Sequence, residues 1–501
     1  MSAPRRIGVI GAGTMGAGIA QLAAQTGAHT VLHDSVDGAL DTALAGIEER
    51  WARMVEKGRL DAQERDTARA RLTLAPELDG LADCGLVIEA APERLALKLE
   101  LFGALTRVVA DDAVLATNTS SLSVTEIAAG VAGSERVVGL HFFNPAPVMG
   151  LVEVVAGARS SAHALAVARA AGEAMGKRVI DAADVAGFLV NRVNRPFSLE
   201  SLKLLEERVA GVATIDRVLR MAGGFVMGPF ELMDMIGIDI NHAVAESLTR
   251  ASFGEPRYRP SPLAARMVAA GTLGRKTGIG WYAHPEGRPQ DPEPLMPGGG
   301  DGRPLAVLGD DALASRAAAA GWDVGGAGPW MTVDCLPRTH ARDARSGPVA
   351  RLLRDGSLHA LEPTAAGFHY LAPLNRLIEV TRTGDTDPEA TSRLNELATT
   401  LGCVAEPVGD SPGLITGRVV CQLINEAAFL LGEGNGSADD VDAGMELGVG
   451  HPRGPIAWSR LIGLDRVVAT LDALHAELGD PRYRVAPLLR QRAAVGATLT
   501  G

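Results

Sequence analysis

Four cysteines are all this 501-residue chain contains, Cys84, Cys335, Cys403 and Cys421, widely spaced and without a CxxC pair. That excludes a disulfide framework and a zinc ribbon or finger, and it suits a reducing compartment. Positive charge is not in excess: 48 Lys+Arg against 60 Asp+Glu leave a formal net charge of −12, which removes the basic footprint of a nucleic-acid binder. No apolar run approaches the ~20 residues of a membrane span. The first residues, MSAPRRIGVIGAGTMG, pass straight into a strand pattern with no signal-peptide apolar stretch. These absences predict a cytoplasmic protein without nucleic-acid or membrane partners. The 47% hydrophobic and 22% charged residues are those of an ordinary globular chain, and the length asks for two to four domains.

A short apolar strand, Ile7–Ile10, runs into Gly11-Ala12-Gly13-Thr14-Met15-Gly16, then an alanine-rich helical pattern, then a strand from Thr30 to His33 ending at Asp34. A lone GxGxxG carries little weight. After a strand, at the start of a helix and followed by an acid closing the next strand, it predicts a dinucleotide site. The glycines let backbone approach a pyrophosphate at the helix N-terminus. Asp34 accepts from a ribose and repels a 2′-phosphate, so NAD is favoured over NADP. Two helical patterns follow, Asp37–Gly58 and Asp61–Arg71, long for a connection of this kind. Arg50, Arg53 and Lys57 recur there at helical spacing, as a solvated face or as cations that meet a phosphate.

Further strands are expected at Gly85–Ala90, Val114–Ala116, Val137–Leu140, Leu151–Val155 and Arg178–Asp181. Ser120 follows the second of these, His141 stands at the mouth of the third, and Glu153 lies inside the fourth. A buried carboxylate is costly unless paired, and His141 is an available partner. A serine, a histidine and a glutamate in one such stretch are common, so the case rests on the rest of the chain.

From Gly187 the pattern is wholly helical, with Asn191 inside an apolar opening and Thr214-Ile215-Asp216 reading as a helix cap. Residues 284–304 are rich in Pro and Gly and read as a linker. The helical region then recurs: VAGFLVNRV (185–193) matches SPGLITGRV (411–419) and MGPFELMDMIGID (227–239) matches RGPIAWSRLIGLD (453–465), both displaced by 226 residues, while GEPRYRPSPL (254–263) matches GDPRYRVAPL (479–488). GFHYLAPLNRLIEV (367–380) echoes GLHFFNPAPVMGLVEV (139–154), with His369 and Glu379 where His141 and Glu153 would stand, two residues closer together. GDDALA replaces GAGTMG, Gly417 replaces Asn191, and no serine matches Ser120. The fold expected is therefore an α/β Rossmann-type domain (1–184), an all-α domain (185–283), a linker with a degenerate Rossmann-like remnant (284–384) and a second helical copy (385–501) that is not an active site.

GAGTMG, EAAPERLALK, TNTSSL, GLHFFNPAPVMGLVEV, GFLVNR, MGPFELMD and GRKTGIGWY together resemble the L-3-hydroxyacyl-CoA dehydrogenase family, over residues 5–283 and more weakly over 385–490. The layout looks like the long bacterial members linked to 3-hydroxyadipyl-CoA or 3-hydroxybutyryl-CoA. The resemblance implies NAD as cofactor, an acyl-CoA substrate, and oxidation of a 3-hydroxyl to a ketone. It makes His141 the general base, Glu153 its orienting acid, and Ser120 and Asn191 ligands of the substrate oxygens in an interdomain cleft. It places Gly11, Gly13, Thr14, Met15, Gly16 and Asp34 on the ADP half, Glu93, Lys98, Asn118 and Asn144 near the ribose and nicotinamide, and Lys57 on CoA. Relatives dimerise through the helical domain, so the fused copy is expected to act as an internal partner, with pairing of whole chains left open. Two other readings compete: a dehydrogenase of free hydroxy or sugar acids, and a non-catalytic NAD-binding protein. Dependence on a CoA thioester separates the first, and the presence of Ser120, His141, Glu153 and Asn191 argues against the second.

Overall fold

The computed structural model describes residues 3–338 and 347–500. The chain forms two compact units, Met1–Arg192 with Gly434–Val449, and Val193–Glu433 with Gly450–Gly501. Residues 434–449, from the helical repeat of the second half, thus belong to the first unit.

The first unit is built on eight strands: β1 (Arg6–Ile10), β2 (His29–His33), β3 (Leu72–Ala75), β4 (Leu86–Glu89), β5 (Val114–Thr117), β6 (Val137–Phe142), β7 (Leu151–Ala156) and β8 (Arg178–Ala183). Their order is β3-β2-β1-β4-β5-β6-β7-β8. Every neighbouring pair is parallel except β6–β7. Strands buried on both faces need continuous apolar runs, and Val9, Leu32, Ile88, Leu140 and Val152 supply them. The helices Ala39–Glu56 and Ala62–Arg71 are seated on this core by a single stripe, Ala43, Ile47 and Trp51 on the first and Ala68 on the second. β3 was not foreseen. Its four residues, LTLA, are too short to show alternation, and they follow a helix without a turn signal. β6 also runs two residues further than expected, so His141 lies within the strand and not at its mouth.

In the second unit, β9 (Pro304–Leu308), β10 (Asp323–Val324), β11 (Met331–Asp334), β12 (Val349–Leu352), β13 (Ala366–His369), β14 (Leu377–Thr381) and β15 (Val404–Pro407) lie in the order β10-β9-β11-β12-β13-β14-β15. This is the first sheet's pattern without its β3 edge, and β13–β14 is again the antiparallel pair. The remnant has kept a whole sheet.

The helical motifs repeat because their local instructions repeat. The helices Pro229–Ile236 and Pro455–Ile462 each begin with proline at the first turn, where no N–H partner is lost, and end at a glycine with positive φ, Gly237 at 111° and Gly463 at 90°. Asp216 does not cap its own helix, which starts at Val212. Its carboxylate instead accepts from Phe230 N (2.9 Å) and Glu231 N (3.0 Å), capping the next helix, and from the Tyr282 hydroxyl (2.8 Å).

Within this unit the helix Arg195–Glu206 packs on Thr416–Gly432. Tyr483 Oη donates to Glu200 (2.9 Å) and Tyr258 Oη donates to Glu426 (2.6 Å). Each buried glutamate takes the tyrosine of the other copy's PRY motif, and the two bonds are related by the repeat. The Phe225 and His451 rings, also equivalent positions, meet edge to face at 5.0 Å. Arg418, fully buried, bonds Glu200 (2.6 Å), Glu207 (2.7 Å) and the Tyr483 hydroxyl (2.7 Å). The four cysteines are buried and free. Among the described residues no helix is long and apolar enough to cross a membrane.

Candidate active site

The glycine loop assigns a different task to each glycine. Gly11 has φ +98°, and a Cβ there would lie 2.6 Å from the Ala90 carbonyl oxygen; at Gly16 a Cβ would lie 1.8 Å from Gly11 O. Both are required for the turn and for seating the helix on the sheet. A Cβ at Gly13 would meet nothing within 4 Å, so here the missing side chain leaves open space at the start of the helix Thr14–Gln25. That helix has no side-chain cap and no acid in its first turn. Its free N–H groups at Thr14, Met15 and Gly16 and its positive dipole end fit a pyrophosphate. Asp34 closes the loop by accepting from Ala12 N (2.7 Å) and Val36 N (2.9 Å). Its half-buried carboxylate stands where a dinucleotide's ribose is expected. These residues fit NAD.

Glu93 and Lys98 belong to a polar network under the neighbouring loop. Lys98 Nζ, buried, bonds Glu89 (2.6 Å) and lies 3.3 Å from Glu93. Glu89 also accepts from Thr117 Oγ1 and Ala91 N, both at 2.7 Å. Glu93 accepts from Ser120 N (3.1 Å), Ser121 N (3.1 Å) and the Ser121 hydroxyl (2.9 Å). Burial alone would raise its carboxyl, but Lys98 and the Thr119 and Ser121 hydroxyls outweigh this and hold it below its usual range. Glu93 thus fixes the loop that presents Ser120. Asn118 Oδ1 accepts from Phe142 N (2.8 Å), tying the end of β5 to the end of β6. Asn144 precedes Pro145 through a cis bond in the exposed turn after β6.

His141 and Glu153 face each other in register on β6 and β7, and the His141 Nδ1–Glu153 Oε2 distance is 2.6 Å. Glu153 is completely buried and His141 nearly so. The other carboxylate oxygen accepts from Leu189 N (3.1 Å) and Val190 N (2.9 Å). Those amides converge because Gly187 (φ 76°) and Phe188 (φ 51°) both adopt the left-handed conformation. For phenylalanine this costs energy and persists only where the surroundings demand it. The Phe143 and Phe188 rings flank the imidazole at 4.6 and 5.9 Å. With Nδ1 committed to the carboxylate, the pair defines the tautomer and leaves Nε2 to take a proton. Asn191, half-buried, comes one residue after Val190 in the short helix Val190–Val193. The chain therefore carries it directly past the pair.

Lys57 is exposed at the C-terminal cap of the helix Ala39–Glu56. Arg50 is half-buried against Gln21 (2.6 Å), whereas Arg53, paired with Glu49, and Lys57 are both exposed. Reading the sequence did not find the Gly187–Phe188 turn as a site element. Its signal was there: glycine followed by a large apolar residue stands in the same place in both helical copies, at 187–188 and at 413–414.

A model of the 3-hydroxyacyl-CoA dehydrogenase NAD-binding domain matches residues 6–185, and one of the C-terminal domain of the same family matches 187–284 and again 413–498. The chain is 36% identical to a 3-hydroxyadipyl-CoA dehydrogenase of Escherichia coli, over 97% of each chain. It is 40% identical to a probable 3-hydroxybutyryl-CoA dehydrogenase of Deinococcus radiodurans, over 56% of this chain and all of that one. The crystal structure of a 3-hydroxybutyryl-CoA dehydrogenase from Escherichia coli K12 superposes with a TM-score of 0.85 at 34% identity, covering 98% of this chain and 99% of that one.

Proposed function

The chain belongs to the 3-hydroxyacyl-CoA dehydrogenase family, and from that premise we propose that it oxidises an L-3-hydroxyacyl-CoA to the 3-oxoacyl-CoA with His141 as general base. The observation that carries this is the buried His141–Glu153 pair at 2.6 Å in the copy whose glycine loop is open for a cofactor. NAD held by the glycine loop and Asp34 would supply the hydride acceptor for C3. His141 Nε2 takes the 3-hydroxyl proton, the role a positioned imidazole most often fills in general acid–base catalysis. Glu153 stabilises the imidazolium and keeps the ring from turning, and its own charge is held by the two amides from the Gly187–Phe188 turn. Ser120 and Asn191 donate to the substrate oxygens, and Lys57 is the cation for a CoA phosphate.

The test is NADH formation from (S)-3-hydroxybutyryl-CoA and (S)-3-hydroxyadipyl-CoA by the intact protein. No turnover of either thioester with NAD still bound would end this reading. Comparing the two substrates also addresses the acyl group.

The division into 1–184, 185–283, 284–384 and 385–501 goes with this reading, as does the second helical copy as an internal stand-in for a dimer partner. The reciprocal Glu200–Tyr483 and Glu426–Tyr258 bonds support the latter, because exchange of identical contacts is the mark of a two-fold interface. A soluble, fully stable monomer after removal of residues 304–501 would argue against it.

A further inference from the structure

In the first unit, the segment contributed by the second helical copy lies directly behind the Glu153 cradle. The helix Ala438–Ala443 continues into a π-helical turn, Gly444–Gly448, a form that recurs at functional sites. A Cβ on Gly444 would lie 3.0 Å from both Leu189 Cδ2 and Val190 Cγ2, and one on Gly448 would lie 2.8 Å from Leu151 Cδ2 and 3.4 Å from Val190 Cγ1. Leu189 and Val190 are the residues whose amides hold Glu153; Leu151 begins the strand that carries it. Met445, between the glycines, is fully buried, and Arg178 of β8 reaches Asp440 at 3.4 Å.

The second unit shows the same arrangement with different residues. Val218 and Ala222 occupy the repeat positions of Gly444 and Gly448, and they pack in one core with Leu377 and Ile415, the counterparts of Leu151 and Leu189. Around the inactive pair, ordinary side chains fill the gap. Around His141–Glu153, two glycines let backbone do so.

We infer that Gly444–Gly448 positions the His141–Glu153 pair, so that the second helical copy supplies a working part of the first copy's site. This rests on His141–Glu153 being the acid–base pair. Leu189 and Val190 cannot retreat from Glu153 while the π turn stands against their side chains, and a larger residue at 444 would push them forward and misalign both N–H···O bonds.

The experiment is steady-state kinetics on full-length Gly444→Val and the milder Gly444→Ala, each alone and with Val190→Ala, beside His141→Ala. Gly444→Val is expected to lower kcat about 10-fold or more, with the Kd for NAD and the KM for the thioester within about twofold of the parent. Val190→Ala in the same chain is expected to restore most of that loss by making room. A folded Gly444→Ala or Gly444→Val protein with unchanged kcat would overturn the inference, as would a loss that Val190→Ala does not relieve. If His141→Ala kept its turnover, the acid–base reading itself would fall, a separate outcome.

Discussion

On the antiparallel pair of the first sheet His141 meets Glu153 directly at 2.6 Å; in the second sheet His369 and Glu379 stand in the same register, yet 3.6 Å apart. Thr416, at the position of Val190, lies between them. Its hydroxyl donates to Glu379, and His369 Nδ1 lies 3.0 Å from it. The Glu379 cradle survives, with Ile415 N at 2.6 Å and Thr416 N at 3.2 Å. What has gone is the space. A Cβ at Gly417, the counterpart of Asn191, would lie 2.8 Å from His369 Nε2, so the helix runs too close to the ring for a side chain like that of Asn191. At the other end, Asp310 caps the helix Asp311–Ala319, and its carboxylate also takes the Tyr370 hydroxyl and lies 3.6 Å from Arg354. The helix N-terminus that is open in the first copy is closed in the second by a negative charge. A site is thus lost through occupation before its framework is lost.

The largest expected effect tests the catalytic side of this contrast. His141→Ala should lower kcat by about 10²- to 10⁴-fold, whereas His369→Ala should leave NADH formation unchanged; equal losses from both would refute the division of labour. Next comes the seam between the helical copies. Arg418→Ala leaves buried Glu200 without its cation, and denaturant unfolding should show about 3–5 kcal/mol lost.

His451 gives a pH-dependent form of the same comparison. It stands where the first copy has Phe225, its Nδ1 has no partner, and burial lowers its pKa to about 3. The unfolded ring takes up its proton near 6.5, while the folded one resists until about 3, so stability falls as pH drops through that window. Asp216 acts in the opposite sense: burial raises it to about 6, so the folded state holds its proton first and gains as pH falls through 6. The difference between the parent and His451→Phe isolates the histidine, and at pH 4 the variant should retain about 3 kcal/mol more. The smallest effect concerns the cofactor. Asp34→Ala should weaken NAD binding about 10-fold, measured by titration calorimetry, with no change in stability of the second unit.

How much of this could be read in the sequence depended on the range of the interaction. GAGTMG, Asp34, His141 and Glu153 were legible because strand, turn and helix signals lie next to them. The LTLA strand was not, being a short edge that only β2 makes extended. Glu93 was expected beside the cofactor; its carboxylate holds the Ser120 loop from 27 residues away. The cap on Phe230 and Glu231 comes from Asp216, one helix earlier. Nothing local to Glu200 indicates that its partner is Tyr483.

The sequence by itself determined the elements whose information is local: continuous apolar strands, a glycine loop, helices opened by proline and closed by glycine, and the repetition of all of these. Tertiary structure decided in which copy the histidine meets its glutamate directly. A histidine and a glutamate in register are the same two residues in either sheet, and their chemistry depends on whether a hydroxyl stands between them and how closely the next helix approaches the ring. Those are matters of a few ångströms between residues distant in the chain, set by packing and by the high cost of leaving a buried charge unpaired.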